Sequence, residues 1–411
     1  MTATKKRSRE SDLLERLIIF SLFLSPILQT YGWGKYDFSF ILTSVLSVIF
    51  LFKNKFRNTL PKVILYYFLY RLLIHEVSAT DMASLIPLGI IKILLAYIMF
   101  FGIKDYEYFI KSYKTIAIVC IAFFYLQEIT YALFGHRISG VIEQFPLALN
   151  VEDADYWYSQ IGEGSRSSSF FSEPAMFVQF LLPLLSIELF SGKKNYFLAF
   201  IIGITILFTL SGNGMLGVLI VGVMYLYSII KRSKGPKGVI LASAVAAVMV
   251  VGGVVFASTE KGQEVMARSY QLSSNSMETN GAGMSGFIRI YRGFGVYAEF
   301  GTFQKIFGND DPKYFTTQMM KSDVSKFFRE NDTYVNTFQA FLILTGIVGV
   351  LFFILIFHYI WRRSDIAGRS IILTFFGLSF ISGLYLTDTM ALYLMLPLLR
   401  AKYLQKNNTK K

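Results

Sequence analysis

Runs of about 16 to 20 apolar residues recur along nearly the whole chain, each long enough as a helix to cross a hydrocarbon core of roughly 30 Å. Inside such a core every backbone polar group must find its partner within its own segment or a closed barrel. Uninterrupted apolar runs of this length, without strict alternation, point to helices. The pattern therefore restricts the chain to a bundle of membrane-crossing helices. Composition agrees: charged side chains are 16% of the 411 residues and the mean hydropathy is +0.49, whereas ordinary globular domains carry roughly 25% charge. Two or three soluble domains, which length alone would allow, are excluded. No short hydrophobic core with a small-residue cleavage site precedes the first run, so it reads as a retained helix. The single Cys120 lies inside an apolar run and supports neither a disulfide framework nor a thiolate metal cluster.

About twelve spans fit this length criterion, at 13–29, 37–52, 60–75, 83–102, 114–134, 174–190, 196–211, 213–230, 238–256, 335–360, 370–386 and 388–404. The expected fold is an all-α polytopic transmembrane helix bundle, with 1–411 forming one integral membrane domain. The tenth span is long because its first turns, 335–344, begin outside the bilayer. Basic clusters such as Lys53-Asn54-Lys55-Phe56-Arg57, Lys193-Lys194, Lys231-Arg232-Ser233-Lys234 and Arg362-Arg363 fall on alternate short connections. By the positive-inside rule those connections, and both termini, are cytoplasmic. The net charge of +13 thus anchors topology, and a nucleic-acid surface is not expected. Two long connections, 135–173 and 257–334, fall on the far side. Connections of that length without secondary structure of their own are usually functional. The larger contains an amphipathic stretch, 286–303, expected to form a helix lying along the membrane surface.

Signatures of soluble enzymes are missing or false. Gly281-Ala282-Gly283-Met284-Ser285-Gly286 matches a dinucleotide fingerprint literally, but it follows a polar loop rather than a strand. His75, His136 and His358 are far apart in sequence, so no metal site is expected. Arg71, Lys92, Glu128 and Glu188 are the main charges within spans, and they do not form the midplane set that an ion-coupled transporter uses.

Three extracytoplasmic stretches remain. Arg166-Ser167-Ser168-Ser169-Phe170-Phe171-Ser172-Glu173-Pro174 enters the sixth span. Pro174 suits a first helical turn, and Ser172 or Glu173 can cap it. Arg166 is a fixed cation whose planar fork suits phosphate, and the abundant phosphate-bearing substrates at this face are lipid-linked. Next, Arg289 and Arg292 are three apart, on one face of a helix, placed either for diphosphate or for anionic head groups. Finally, Asp332 and Asn336 are four apart at the mouth of the tenth span, where Gly346 and Gly349 permit close helix packing. The turn Leu210-Ser211-Gly212-Asn213-Gly214 faces the same side.

In this order, these stretches resemble the Wzy family of O-antigen and capsular polysaccharide polymerases, which is related to O-antigen ligases. The resemblance runs from about residue 110 onward, through Arg166…Phe170-Phe171-Ser172-Glu173-Pro174, Leu210-Ser211-Gly212-Asn213-Gly214, Arg289, Ile306-Phe307-Gly308, and Asn336 before Gly346-Ile347-Val348-Gly349. Val335 stands where the ligase branch often has histidine. Phe177 and Phe300 stand where some polymerases have glycine eleven residues after the arginine. The resemblance implies a glycosyltransferase of the bacterial cytoplasmic membrane that joins undecaprenyl-diphosphate-linked oligosaccharide repeats at the outer face. It implies no cofactor and no metal, the lipid bilayer as surroundings, and a chain-length regulator and flippase as partners. Arg166, Arg289 and Glu173 are then the expected catalytic residues, with Arg292, Asp332 and Asn336 binding substrate. Ligase-type transfer to another acceptor, or a lipid-linked oligosaccharide flippase, are the alternatives.

Overall fold

The computed structural model describes residues 2–33, 36–53, 60–78, 86–142, 144–147, 166–191, 195–232, 288–323 and 334–408, with a few single positions between 237 and 263. Helix dominates: α1 (Thr2–Leu28), α2 (Phe38–Lys53), α3 (Lys62–Ser78), α4 (Ile86–Gly102), α5 (Tyr106–Phe134), α6 (Pro174–Phe190), α7 (Tyr196–Phe208) and α8 (Gly212–Arg232). After 288 follow a π-helical turn (Ile288–Arg292), α9 (Gly293–Ala298), α10 (Thr302–Phe307), α11 (Pro312–Lys321), α12 (Thr337–Arg363), α13 (Ile366–Leu378) and α14 (Asp388–Asn408). The strands β1 (Gly32–Trp33) and β2 (Tyr36–Asp37) make a two-residue hairpin between α1 and α2. Among the described residues, three helices, α5, α8 and α12, are long and apolar enough to cross a membrane, and α2, α4, α6, α7 and α13 are shorter apolar helices. Apart from that hairpin and the connections, the described residues are thus helical, and the chain has membrane character. Eleven of the twelve expected segments overlap helices; the ninth, 238–256, lies outside the described residues but for a few single positions.

The chain divides into two compact units. The first holds Met1–Leu65, Pro87–Leu184 and Leu386–Lys411, and the second Tyr66–Ile86 and Leu185–Tyr385. In the first, α1, α5 and α14 pack around aromatic rings: Phe23 stacks on Tyr113 at 4.6 Å and meets Phe109 and Phe180. Every residue of α14 from Asp388 to Ala401 is buried, the mark of a helix enclosed on all sides rather than one with a solvent face. Where α1 ends, the β1–β2 hairpin rests on the first long connection. Gly32 N–H donates to the Pro146 carbonyl at 2.9 Å, and the Tyr31 hydroxyl accepts from Ile142 N–H at 2.9 Å.

In the second unit α8 packs along α13. The helices approach so closely that a Cβ on Gly377 would stand 2.4 Å from the Ile220 side chain. Helix α13 stops at Leu378, short of the expected 386, because the next residues bond elsewhere. The Ser379 carbonyl accepts Phe338 N–H at 2.9 Å and the Ser382 carbonyl accepts Thr337 N–H at 2.8 Å. Helix α12 is broken at Gly346, whose φ of 62° and ψ of −167° are not helical. Close packing of helices through both Gly346 and Gly349 was the expectation; the nearest neighbours at Gly346 belong to another segment, and those at Gly349 to its own helix. A Cβ on Gly346 would lie 2.3 Å from the Ile306 carbonyl oxygen, whereas one on Gly349 would meet Thr345 of its own helix. The break leaves carbonyls without their helical donors. Asn309 N–H supplies Ile343 at 3.1 Å and the Tyr70 hydroxyl supplies Thr345 at 3.0 Å. The last turns of α10 therefore fill the kink. The break falls just past 335–344, the turns expected to lie beyond the bilayer.

Candidate functional site

The segment 166–174 in the first unit is a tight turn whose middle is fastened inward. Ser169 takes a φ of 57°, a left-handed backbone that non-glycine residues hold only when their surroundings fix it. Gln127 supplies that fixation. Its Oε1 accepts Ser169 N–H at 2.8 Å, and its Nε2 donates to the carbonyls of Ser169 at 3.3 Å and Ile138 at 2.9 Å. The Ser169 hydroxyl donates to the Cys120 carbonyl at 2.7 Å. Phe170 stacks on Phe123 with centroids 4.2 Å apart, and Phe171 packs on Phe177 and Phe180. The Ser/Phe run thus has a structural cause. Glu173 opens α6, its carbonyl accepting from Met176 at 3.1 Å and Phe177 at 3.3 Å. Both charged ends of the segment, Arg166 and Glu173, are exposed.

Beside this turn stands a group that sequence reasoning missed. Arg137 is 8% exposed and lies 3.7 Å over the Tyr131 ring. Its Nε donates to the Ser167 hydroxyl at 3.0 Å, and that hydroxyl donates to Glu128 Oε1 at 2.6 Å. Arg137 Nε is itself 3.5 Å from Glu128. The proximity of Glu128 to the end of the fifth span was the only signal, and it named no partner.

In the second unit, Arg289 and Arg292 do not share an exposed face, because a π-helical turn spaces residues three apart differently from an α-helix. The two converge instead on Tyr334 from different sides. Arg289 is half-buried with its guanidinium 5.3 Å from the Tyr334 ring centroid. Arg292 is 0% exposed and its Nη2 donates to the Tyr334 carbonyl at 2.6 Å. That placement makes Arg292 a brace for the backbone. Of the helix expected over 286–303, residues 286–287 lie outside the described residues, helical turns run 288–298, and the helix ends before Gly301, with a separate helix starting at Thr302.

Asn336 is the N-cap of α12 in a capping box with Gln339, an arrangement that satisfies two orphan amides at once. Its Oδ1 accepts Gln339 N–H at 2.8 Å, and its Nδ2 donates to the carbonyls of Arg289 at 2.7 Å and Phe380 at 2.8 Å. Asn336 is 0% exposed, so it holds the Arg289 backbone in place rather than presenting an amide to a ligand. Asp332 lies outside the described residues. Asn213, which the structure places in the first turn of α8 rather than in a connecting turn, donates to the Ser382 hydroxyl at 2.6 Å.

The second unit also holds a charge cluster that the sequence did not join. Arg71 of α3 forms a buried ion pair with Asp310, and His75 Nδ1 lies 3.0 Å from the same carboxylate. Ser78 accepts Asp310 N–H at 3.0 Å. Burial pushes the Asp310 carboxyl above the usual carboxylate range, and Arg71 and His75 pull against that. This cluster pins the segment after α10 to α3. Among the described residues, no group of three or more His, Cys, Asp or Glu side chains could hold a metal ion. Compared with family models, curated proteins and solved structures, the chain matches none.

Proposed function

We propose that the chain is a polysaccharide polymerase of the Wzy type, joining undecaprenyl-diphosphate-linked oligosaccharide repeats at the outer face of a bacterial cytoplasmic membrane. In this reading about twelve spans cross the bilayer, both termini are cytoplasmic, and 135–173 and 257–334 are extracytoplasmic. A hydroxyl at the acceptor end attacks the anomeric carbon of a chain carried on lipid diphosphate. The glycosidic bond to that diphosphate breaks, and the lipid diphosphate departs with its added negative charge. Fixed cations near the leaving group favour that transition state over the ground state. Arg166 and Arg289 fill this role. Glu173 or Asp332 accepts the proton of the attacking hydroxyl.

The observation that carries the reading is the fastening of 166–174. Its serines and phenylalanines are held inward, so the charged residues left on the surface are those the resemblance makes catalytic, Arg166 and Glu173. Arg289 is supported in a comparable way, since Asn336 and Tyr334 hold its backbone and its side chain. The break in α12 would favour a transporter if it lined an open path. It is filled by α10 and by Tyr70, which weighs against that reading.

Arg166→Ala and Arg289→Ala are each expected to abolish polymer in cells while the protein still inserts. Glycan ladders of wild-type length from both variants would remove the assignment. Glu173→Gln is expected to impair polymerisation while leaving the melting temperature unchanged. Full activity in that variant would leave Glu173 only its place at the start of α6.

A further inference from the structure

We infer that one corner of the first unit is a binding site for an anionic phospholipid, with Lys104, Lys402 and Lys406 holding its phosphate. Two hollows adjoin there. A cleft of about 220 Å³ lies between the start of α5 and the last turns of α14, lined by those three lysines with Tyr106 and Tyr403. Next to it, a slot of about 90 Å³ is walled by Leu14 and Ile18 of α1, Phe50 of α2 and Met99 of α4, and Lys53 also lines it. Ile103 and Lys104 belong to both. Leu13, Leu17 and Phe52, all exposed, carry apolar surface onward along α1 and α2. The hollows thus put cations beside hydrocarbon.

Fixed contacts shape the corner. Glu15 Oε1 accepts the amides of Lys104 at 2.7 Å and Asp105 at 2.8 Å, which pins the α4–α5 connection to α1. Asp105 in turn caps α5 through Tyr108 N–H at 2.9 Å. Tyr403 stacks on Tyr106 at 4.7 Å and donates to Glu107 Oε1 at 2.7 Å, while buried Arg400 donates to the Tyr106 hydroxyl at 3.2 Å. Lys402 Nζ donates to the Phe101 carbonyl at 3.2 Å. Among the described residues, neither Lys104 nor Lys402 pairs with a carboxylate. Lys104 and Lys406 stand close enough to Lys402 to oppose its charge, with Glu15 offsetting less than either contributes. Basic residues on this face satisfy topology wherever they stand; gathering three around one cleft costs free energy. An anion bound between them removes that cost. A phospholipid supplies both hollows, phosphate oxygens for the ammonium groups and hydrocarbon for the slot. A free phosphate answers only the first. In the topology proposed above the corner is cytoplasmic, where basic pockets between membrane helices take anionic head groups. The site rests on that topology and not on the polymerase activity.

Binding is read on the purified, detergent-solubilised full chain by native mass spectrometry, with melting as a check on the fold. The probes are phosphatidylglycerol, phosphatidylcholine and inorganic phosphate. Wild type is expected to bind phosphatidylglycerol in preference to phosphatidylcholine, and inorganic phosphate is expected not to displace it. Lys104→Gln/Lys402→Gln/Lys406→Gln is expected to bind phosphatidylglycerol about 100-fold more weakly, about fivefold per lysine, and to melt without lipid as wild type does. If that variant melts early, Lys104→Gln alone still shows its share of the loss, since its ammonium anchors nothing among the described residues. Lys231→Gln/Arg232→Gln/Arg363→Gln removes basic charge outside the corner and is expected to bind as wild type does. An equal loss there would make the attraction diffuse and overturn the site. Equal binding of the two lipids, displacement by inorganic phosphate, or full affinity in the lysine variants would overturn it as well. None of these outcomes touches the polymerase reading.

Discussion

Replacing Asn336 tests whether this residue builds the site or touches the substrate. The side chain makes three hydrogen bonds in a fully buried setting: one caps α12 through Gln339 N–H, and two satisfy the carbonyls of Arg289 and Phe380. Asn336→Ala removes the cap, which contributes about 1 kcal/mol, and strands two buried carbonyls, at about 1–3 kcal/mol each. Allowing for partial relaxation, the sum is about 3–5 kcal/mol, a large share of a typical stability. Asn336→Asp is a sharper probe. It keeps the cap acceptor yet turns a carboxylate toward two carbonyl oxygens, so it is expected to cost about as much as alanine. Thermal melts of the solubilised protein, followed by size-exclusion peak height, should show both variants well below wild type. Activity falls with them because the Arg289 backbone loses its support. Wild-type melting in both variants, with activity alone lost, would refute this and return Asn336 to a direct role with substrate.

The buried Arg71–Asp310 pair makes a related prediction. Asp310→Ala leaves a buried arginine uncompensated and is expected to cost about 3–5 kcal/mol, while Arg71→Met/Asp310→Leu recovers most of that loss; a melt series on the three proteins checks it. Gly346→Ala is expected to destabilise strongly, since a Cβ would collide with the Ile306 carbonyl at a φ that disfavours side chains, whereas Gly349→Ala, crowded only by Thr345 of its own helix, should be milder in the same melt. Arg292→Lys is expected to lower stability rather than substrate affinity, because the ammonium of a lysine does not reproduce the position of Nη2 on the Tyr334 carbonyl; unchanged melting with weakened substrate binding would contradict that.

The elements were legible because apolar run length is a strong signal: α6 covers the expected 174–190, and Pro174 starts it for a reason the local sequence states; the capping role of Asn336 was not foreseen. Ends set by tertiary bonding were not. Helix α13 stops at Leu378 because Thr337 and Phe338 take its following carbonyls, partners some forty residues away in sequence. Arg289 and Arg292 looked equivalent under α-helical spacing, but in the π-helical turn one meets the Tyr334 ring and the other the Tyr334 carbonyl. Asp310 drew no notice since its partners, Arg71 and His75, are separated from it by more than two hundred residues. Arg137 was hidden for a different reason. It sits in a loop without a motif, and its importance comes from Ser167 and Glu128 folding back onto it.

The central claim is that this chain lengthens a glycan carried on lipid diphosphate. Purified protein incubated with its lipid-diphosphate-linked repeat unit, with no other acceptor added, tests it most directly. A ladder at integral multiples of the repeat, with release of the lipid diphosphate, is the expected result. Donor left unchanged until a different acceptor is supplied, or never consumed, would contradict it.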